Sequence, residues 1–212
     1  MRVIFAMIAF LLSGGGPAAF AQEPQAPASP AEIVAYRESG QWDADIAAVI
    51  RKARKQVKRH LADVKPAIVL DIDDTSLSSY RCLKKVHFVR SRSDCAGPGN
   101  MPAIRQTRGL YRYARAHHVT VFFITGRRAE IRRTTIANLH RAGYQGALHV
   151  RLRPNVERTG EHDGWKARTR GGIQARGYTL VANVGDQRSD LDGGGALRAF
   201  KLPNPMYVIP TA

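Results

Sequence analysis

One short segment constrains the fold of this chain most: an apolar run at residues 68–70 that ends abruptly in carboxylates. Asp71 and Asp73 lie two residues apart after the run, with Asp74 and Thr75 next. A run of this kind, bounded by polar residues, predicts a buried strand that delivers charged oxygens to its own carboxyl end. A buried, unpaired charge loses solvation worth several kcal/mol. The rest of the chain is therefore expected to supply a cation or cationic side chains.

The first 30 of the 212 residues are predicted to lie outside the fold. Met1 and Arg2 precede an apolar run over 3–12, and an Ala-Phe-Ala sequence ends at Ala21. The run is shorter than the ~20 residues that span a bilayer, so residues 1–21 are interpreted as a signal peptide rather than a membrane anchor. Residues 22–30, rich in Pro and Ala, are predicted to be a disordered tether. We therefore expect an exported protein, periplasmic or secreted, without a transmembrane segment in its mature chain.

The chain contains two cysteines, Cys82 and Cys95. An even number in an exported chain favours a disulfide over free thiols, although both remain open at this point. A nucleophilic cysteine is disfavoured, because neither residue lies in a His-paired or glycine-loop context.

The charge balance biases the ligand toward anions. Lys and Arg number 33 against 17 Asp and Glu, for a formal net charge of +16. Such a field raises the local concentration of phosphate esters, nucleic acid and anionic lipid. Much of the excess is arginine scattered along helical patterns, without an aromatic stacking platform, so dedicated nucleic-acid binding is an alternative that is not favoured.

From residue 31 onward the pattern predicts one α/β domain, 31–212. Apolar positions at helical spacing over 33–61 predict a helical N-terminal arm. Apolar runs then alternate with helical patterns, which indicates a mainly parallel sheet flanked by helices. Residues 76–100 form an insertion expected to overhang the end of the first strand. The predicted strands are 67–70, 119–124, 147–150, 178–184 and 200–202, and the predicted helices are 102–117, 128–142 and 164–176.

The residues that border these strands form one candidate site, because ligands of open α/β sheets gather beyond the carboxyl ends of the strands. Carboxylates from two strand ends suit Mg²⁺. A hydroxyl, a backbone amide and an amine suit a phosphate group. The candidates are Asp71, Asp73, Thr125, Gly126, Arg127, Lys166, Asp186 and Asp190.

In order and spacing, these motifs resemble the four motifs of the haloacid dehalogenase (HAD) superfamily: Asp71–Thr75, Ile124–Arg127, Lys166 and Gly185–Asp190. Neighbouring segments resemble class B acid phosphatases of the plant and bacterial vegetative-storage-protein type. The resemblance covers roughly residues 31–209. It implies a Rossmann-like, three-layer α/β/α HAD core with a small cap built from the 76–100 insertion.

The resemblance also implies roles for single residues. Asp71 would attack phosphorus and form an aspartyl-phosphate, and Asp73 would be the general acid and base. Mg²⁺ would be held by Asp71, the backbone carbonyl of Asp73, and Asp186. Thr125 and Lys166 would offset charge on the phosphoryl oxygens, and Asp190 would orient Lys166 or a metal-bound water.

Three positions are less defined by the resemblance. Gly126 and Arg127 are assigned to substrate binding, with a structural role for Arg127 left open. Asp74 stands where similar proteins usually carry Glu, and it receives no role.

The function expected from the sequence is that of a Mg²⁺-dependent acid phosphatase acting on small phosphate monoesters, nucleotides among the candidates. One alternative is a non-catalytic storage or binding protein, which the family includes where the nucleophile is lost. Another is a basic envelope protein that binds nucleic acid or anionic lipid. The physiological substrate and the oligomeric state stay open.

Overall fold

The computed structural model describes residues 28–89, 95–96, 99–155 and 164–209. The predicted signal peptide and residues 22–27 of the predicted tether lie outside this part, as do seven residues of the predicted cap. No helix within the described ranges combines the length and the apolar character that a membrane crossing requires.

A five-stranded sheet organises the domain, and every pairing within it is parallel. Its order is β3-β2-β1-β4-β5, so β1 lies at the centre between β2 and β4. This confirms the predicted α/β class with a mainly parallel sheet. The strands are β1 (Pro66–Leu70), β2 (Thr120–Arg128), β3 (His149–Arg153), β4 (Thr179–Gly185) and β5 (Ala199–Lys201).

The boundary of β2 was predicted too short. The strand continues past 124 through Thr125 to Arg128, and its register with β3 shifts between these two residues. A glycine and two arginines carry no apolar signal, so the pattern alone ended the strand early. The helix expected from 128 consequently begins at Arg132, after a short 3₁₀ turn at Ala129–Ile131.

The helices connect the strands as expected for a doubly wound sheet. They are α1 (Pro30–Glu38), α2 (Gln41–Arg59), α3 (Tyr80–Lys85), α4 (Arg105–Ala116), α5 (Arg132–Arg141), α6 (Trp165–Gln174) and α7 (Arg188–Leu191).

The N-terminal arm consists of two helices rather than one. Gly40, at φ +82°, occupies the N-cap of α2 and separates it from α1. A left-handed backbone conformation of this kind favours glycine. Ser29 and Glu32 form a reciprocal capping box at the start of α1. Residues 28–30, assigned to the disordered tether from composition, therefore belong to the fold.

Alternate residues of β1 supply the two cores of the domain. Ile68 and Leu70 pack into the larger core, which also contains residues of α2, α4 and α5. Ala67 and Val69 face the smaller core, which Ile173 of α6 completes. Helices thus cover both faces of the sheet, and the three-layer α/β/α arrangement is confirmed.

The segment after β1 begins the predicted insertion. It contains α3, and a disulfide joins Cys82 to Cys95 with the Cα atoms 5.8 Å apart. The disulfide, which the sequence favoured over free thiols, is therefore present in the structure. Residues 90–94 and 97–98 of the insertion lie outside the described residues.

Candidate active site

Asp71 lies at the carboxyl end of the central strand. Its backbone amide donates to the Val184 carbonyl at 3.0 Å, which continues the pairing of β1 with β4 by one residue. The Ser76 hydroxyl donates to the Asp71 carbonyl at 2.6 Å. The amides of Ser76 and Leu77 both donate to the Ile72 carbonyl. These bonds close a tight loop that fixes the direction in which the Asp71 side chain leaves the sheet.

Three buried carboxylates meet beside this loop. One oxygen each of Asp71, Asp186 and Asp190 lies within 4.8 Å of the others. Asp71 follows β1, Asp186 follows β4, and Asp190 belongs to α7. A Cβ added to Gly185 would lie 2.3 Å from the Asp190 Cβ. Only glycine therefore allows α7 to approach the end of β4 closely enough for Asp190 to enter the group.

Lys166 supplies the nearest positive charge. Its Nζ lies 2.5 Å from Oδ1 of Asp71 and 2.5 Å from Oδ1 of Asp190. Burial by itself would lower the pKa of Lys166, but the carboxylates of Asp190 and Asp71 outweigh it and raise that pKa. The side chain is therefore held as an ammonium between a carboxylate at the end of β1 and a carboxylate of α7.

One ammonium does not balance three carboxylates. Burial, reinforced by the neighbouring Asp190, raises the pKa of Asp71 well above its usual range. Burial likewise raises the pKa of Asp186 to about 7, again with a contribution from Asp190. The cluster therefore carries excess negative charge that a bound cation would relieve.

The donors around Asp186 were not identified from the sequence. Thr75 donates its hydroxyl to Oδ1 at 2.9 Å. The side-chain amides of Gln187 and Asn204 donate to Oδ2 at 2.6 and 2.8 Å. Gln187 and Asn204 belong to segments that carry the family resemblance, and that was the signal available for them.

Arg170 was also missed. It is fully buried, and its guanidinium donates to the carbonyls of Asp190, Asp192 and Gly194. It thereby fixes the backbone on which Asp190 is carried. A lone arginine in an amphipathic helix gives no signal of this role in the sequence.

Asp73 is held by Arg127 rather than by solvent. The Arg127 Nη2 lies 2.7 Å from Oδ1 of Asp73, and Nε lies 3.1 Å from Oδ2. Both side chains are 3 % exposed. Arg127 also donates to the Thr135 hydroxyl at 3.2 Å. This arrangement supports the structural role that was left open for Arg127, because its guanidinium is occupied in positioning Asp73.

Thr125 and Gly126 lie at the edge expected for phosphate contacts. The Thr125 side chain is buried and its Oγ1 accepts the Arg127 amide at 3.1 Å, which leaves its own hydroxyl proton to donate. A Cβ on Gly126 would meet no atom within 4 Å. The strand therefore presents open space at Gly126, where its backbone can be approached.

Asp74, which received no role from the sequence, is a structural centre of the loop. Its carboxylate accepts the amide and hydroxyl of Ser79 at 2.8 and 2.5 Å and the Tyr207 hydroxyl at 2.7 Å. The backbone at Asp74 is left-handed, with φ +53°. The residue therefore ties the loop after β1 to the C-terminal segment.

Similarity to known proteins extends over most of the chain. The family model described as "HAD superfamily, subfamily IIIB (Acid phosphatase)" matches residues 18–210. A stem 28 kDa glycoprotein of Glycine max is 31% identical over 82% of this chain and 72% of its own length. Vegetative storage protein 1 of Arabidopsis thaliana is 29% identical over 68% and 55%, and acid phosphatase 1 of Solanum lycopersicum is 36% identical over 52% and 44%. The chain thus spans about half the length of the latter two proteins.

Among solved structures, the class C acid phosphatase from Bacillus anthracis matches with a TM-score of 0.67. It is 21% identical to this chain, and the match covers 82% of this chain and 83% of that one. At this level of identity the match supports the fold.

Proposed function

We propose that this chain, which belongs to subfamily IIIB of the HAD superfamily, the acid phosphatases, hydrolyses phosphate monoesters with Mg²⁺ through an aspartyl-phosphate on Asp71. Membership of this family makes the chain a phosphomonoesterase. The metal and the covalent intermediate are the proposal. The observation that carries it is the meeting of Asp71, Asp186 and Asp190 within 4.8 Å, with Lys166 bridging two of them.

The donor set fits a hard divalent cation. The groups that face one another are carboxylate oxygens, the ligands that Mg²⁺ prefers, and their excess charge is only partly met by Lys166. Asp71 and Asp186 would hold the ion, with the backbone carbonyl of Asp73 as a further ligand. Asp190, predicted to orient Lys166 or a metal-bound water, lies close enough to Asp71 and Asp186 to contribute directly. A bound Mg²⁺ would neutralise charge on the phosphoryl oxygens.

In the first step, an Asp71 oxygen attacks phosphorus and the bond from phosphorus to the ester oxygen breaks. The leaving oxygen takes a proton from Asp73, which must be close to the nucleophile but distinct from it. The Arg127 clamp holds the Asp73 carboxyl group in one orientation for this transfer. Lys166 and the Thr125 hydroxyl are assigned to the phosphoryl oxygens, whose charge they would offset.

In the second step, water attacks phosphorus and Asp73 accepts its proton. The bond from Asp71 to phosphorus breaks, and inorganic phosphate leaves. Asp71 and Asp73 are then restored to their initial states, and the site is ready for another substrate.

The decisive experiment traps the intermediate on Asp71. Wild-type protein is mixed with p-nitrophenyl phosphate and Mg²⁺, quenched in acid and reduced with borohydride, which converts an aspartyl-phosphate to homoserine. Peptide mass spectrometry should find homoserine at position 71. Homoserine at another aspartate, or rapid turnover without any labelled aspartate, would contradict the assignment.

A second experiment, in which the metal is removed and restored, tests the two parts of the proposal separately. Chelation should abolish hydrolysis, and Mg²⁺ should restore it. Restoration by Mg²⁺ in wild type but not in Asp186→Asn would support the ligand role of Asp186. Full activity in the presence of chelator would contradict the metal requirement. The nucleophile assignment would then be judged by the homoserine label at position 71 alone.

We also propose that the substrate is a small phosphomonoester and that the chain is exported. The positive net charge supports anionic substrates, nucleotides among them. A panel of charged and neutral phosphate esters, assayed at several salt concentrations, tests the first point. N-terminal sequencing of the secreted or periplasmic protein tests the second, with Gln22 as the expected first residue.

A further inference from the structure

A second concave site lies outside the catalytic carboxylates. It is a pocket of about 630 Å³ between the end of α1, the start of α2, the segment at 78–81 and the start of α4. None of the catalytic residues named above lines it. Its volume is within the range of pockets that hold small molecules.

The walls of this pocket carry mostly positive charge. Asp43 is the acidic residue among them, and the Gln106 side-chain amide already donates to its carboxylate at 2.8 Å. Guanidinium groups bind phosphate through paired, planar hydrogen bonds. The arginines in the lining are Arg37, Arg81, Arg105, Arg108 and Arg141.

Arg37 is held between two aromatic rings. Its guanidinium stacks 3.4 Å from the centre of the Trp42 ring and 4.6 Å from that of Tyr80. Nη2 donates weakly to the Ser78 hydroxyl at 3.4 Å. Nη1 is buried and has no hydrogen-bond partner among the described residues. Stacking thus fixes a cation in place while one of its donors stays unused, and an unused buried donor costs free energy.

The start of α4 adds backbone donors to the same pocket. The N-cap is Ile104, which provides no side-chain hydrogen bond, and the first turn contains no acidic residue. The first amides of a helix have no partner within the helix and lie at the positive end of its dipole. Ile104, Arg105 and Gln106 all line the pocket. Arginine side chains and the uncapped start of α4 therefore line the same pocket.

We propose that this pocket is a second anion-binding site, which takes a small molecule bearing at least two linked phosphate groups. Five guanidinium groups against one carboxylate exceed what a single phosphate neutralises. A volume of about 630 Å³ suits a compact ligand. The site is separate from the hydrolytic centre, so binding there is independent of turnover.

Calorimetric titration with methylenediphosphonate tests the proposal, because its phosphorus–carbon bonds resist hydrolysis. The variant Arg81→Gln/Arg105→Gln removes two exposed cations from the pocket. We expect it to lose binding by about tenfold or more at roughly physiological salt. Inorganic phosphate should bind wild type at least about tenfold more weakly than the diphosphonate does.

A matched control separates a built site from the general positive field. Arg51→Gln/Arg59→Gln makes the same change in net charge on the exposed face of α2, outside the pocket. This control variant should retain binding of the diphosphonate. Lys166→Met, which alters the catalytic cluster, should also retain binding at the pocket. Equal losses in both arginine pairs, or no loss in Arg81→Gln/Arg105→Gln, would overturn the proposal. A short single-stranded oligonucleotide that binds more tightly than the diphosphonate would overturn the assignment to a small ligand.

Discussion

Two charged regions adjoin the segment that follows β1, and they are opposite in sign. The catalytic cluster brings three carboxylates and one ammonium to the strand ends. The arginine-lined pocket brings five guanidinium groups and one carboxylate to helix ends. A net charge of +16 suggests a uniformly basic protein, yet the clustered carboxylates and the pocket arginines lie in two separate regions. Each region carries an excess of charge of one sign, which only an ion of the opposite sign can balance.

The two regions also differ in how completely their hydrogen-bonding groups find partners within the protein. Each carboxylate of the catalytic cluster accepts a hydrogen bond from the protein, whether from Lys166, Thr75, Gln187 or Asn204. In the pocket, Arg37 keeps a buried donor without a partner among the described residues. The first region is therefore preorganised by the protein, whereas the second is completed by its ligand.

The largest expected effect is in the cluster. Asp71→Asn keeps the shape of the side chain and removes the nucleophile, so kcat/KM for p-nitrophenyl phosphate should fall by at least about 10⁴-fold. The measurement is steady-state hydrolysis in saturating Mg²⁺. Asp192→Asn is the matched control, because the same chemical change is made at an exposed aspartate after α7. An active Asp71→Asn would overturn the assignment of Asp71 as the nucleophile.

Removing the bridging cation should have the next largest effect. Lys166→Met leaves Asp71 and Asp190 without the ammonium that lies 2.5 Å from both. We expect kcat to fall by about 10²-fold, as for the loss of one positioned charge. Lys166→Arg keeps the charge but not the compact ammonium. If Lys166→Met and wild type gave the same kcat, the contrast between a preorganised cluster and an incomplete pocket would lose its main support.

A smaller effect is expected at Asp74, which joins the loop to the C-terminal segment. Asp74→Ala removes the acceptor of three hydrogen bonds and places alanine at φ +53°. The free energy of unfolding should fall by about 2–3 kcal/mol, measured by denaturant titration. Asp74→Asn keeps an acceptor oxygen and tolerates the left-handed backbone, so its loss should be smaller. Equal stability of the two variants would show that these hydrogen bonds contribute little.

The smallest expected effect is on stability in the arginine-lined pocket. Arg81 and Arg105 are exposed, so replacing both with Gln should change the free energy of unfolding by less than about 0.5 kcal/mol in the absence of anion. Methylenediphosphonate should stabilise wild type by mass action and this variant much less. A large destabilisation without anion would indicate that the two side chains hold the fold together, and the contrast with the cluster would then fail.

The order of the polar motifs was enough to predict the site because parallel strands end at one edge of a sheet. Asp71 and Asp186 follow β1 and β4, and Thr125 lies within the second half of β2; these three strands are neighbours in the sheet. The apolar runs identified those strands, and the resemblance supplied the roles. Boundaries were less predictable where polar residues continue a strand, as at Thr125–Arg128, because their pairing rather than their hydropathy keeps them in the sheet.

The partners of single side chains were not predictable in the same way. From its position beside Thr125, Arg127 was assigned to substrate binding, with a structural role left open. In the structure its guanidinium contacts Asp73, at the point where the register of β2 with β3 shifts. No role was predicted for Asp74, because its partner Tyr207 lies 133 residues further along the chain. No local period connects residues that far apart.

By itself the sequence determined the α/β sheet, the edge where the site forms, and the presence of carboxylates that need a cation. These follow from short-range patterns, since strand period and strand end are local properties of the chain. Tertiary structure alone decided that Asp190 joins Asp71 and Asp186, that Lys166 bridges two of them, and that five arginines from distant segments share one pocket. Such groupings depend on how helices pack against the sheet, which is a sum of many contacts that no single stretch of sequence contains.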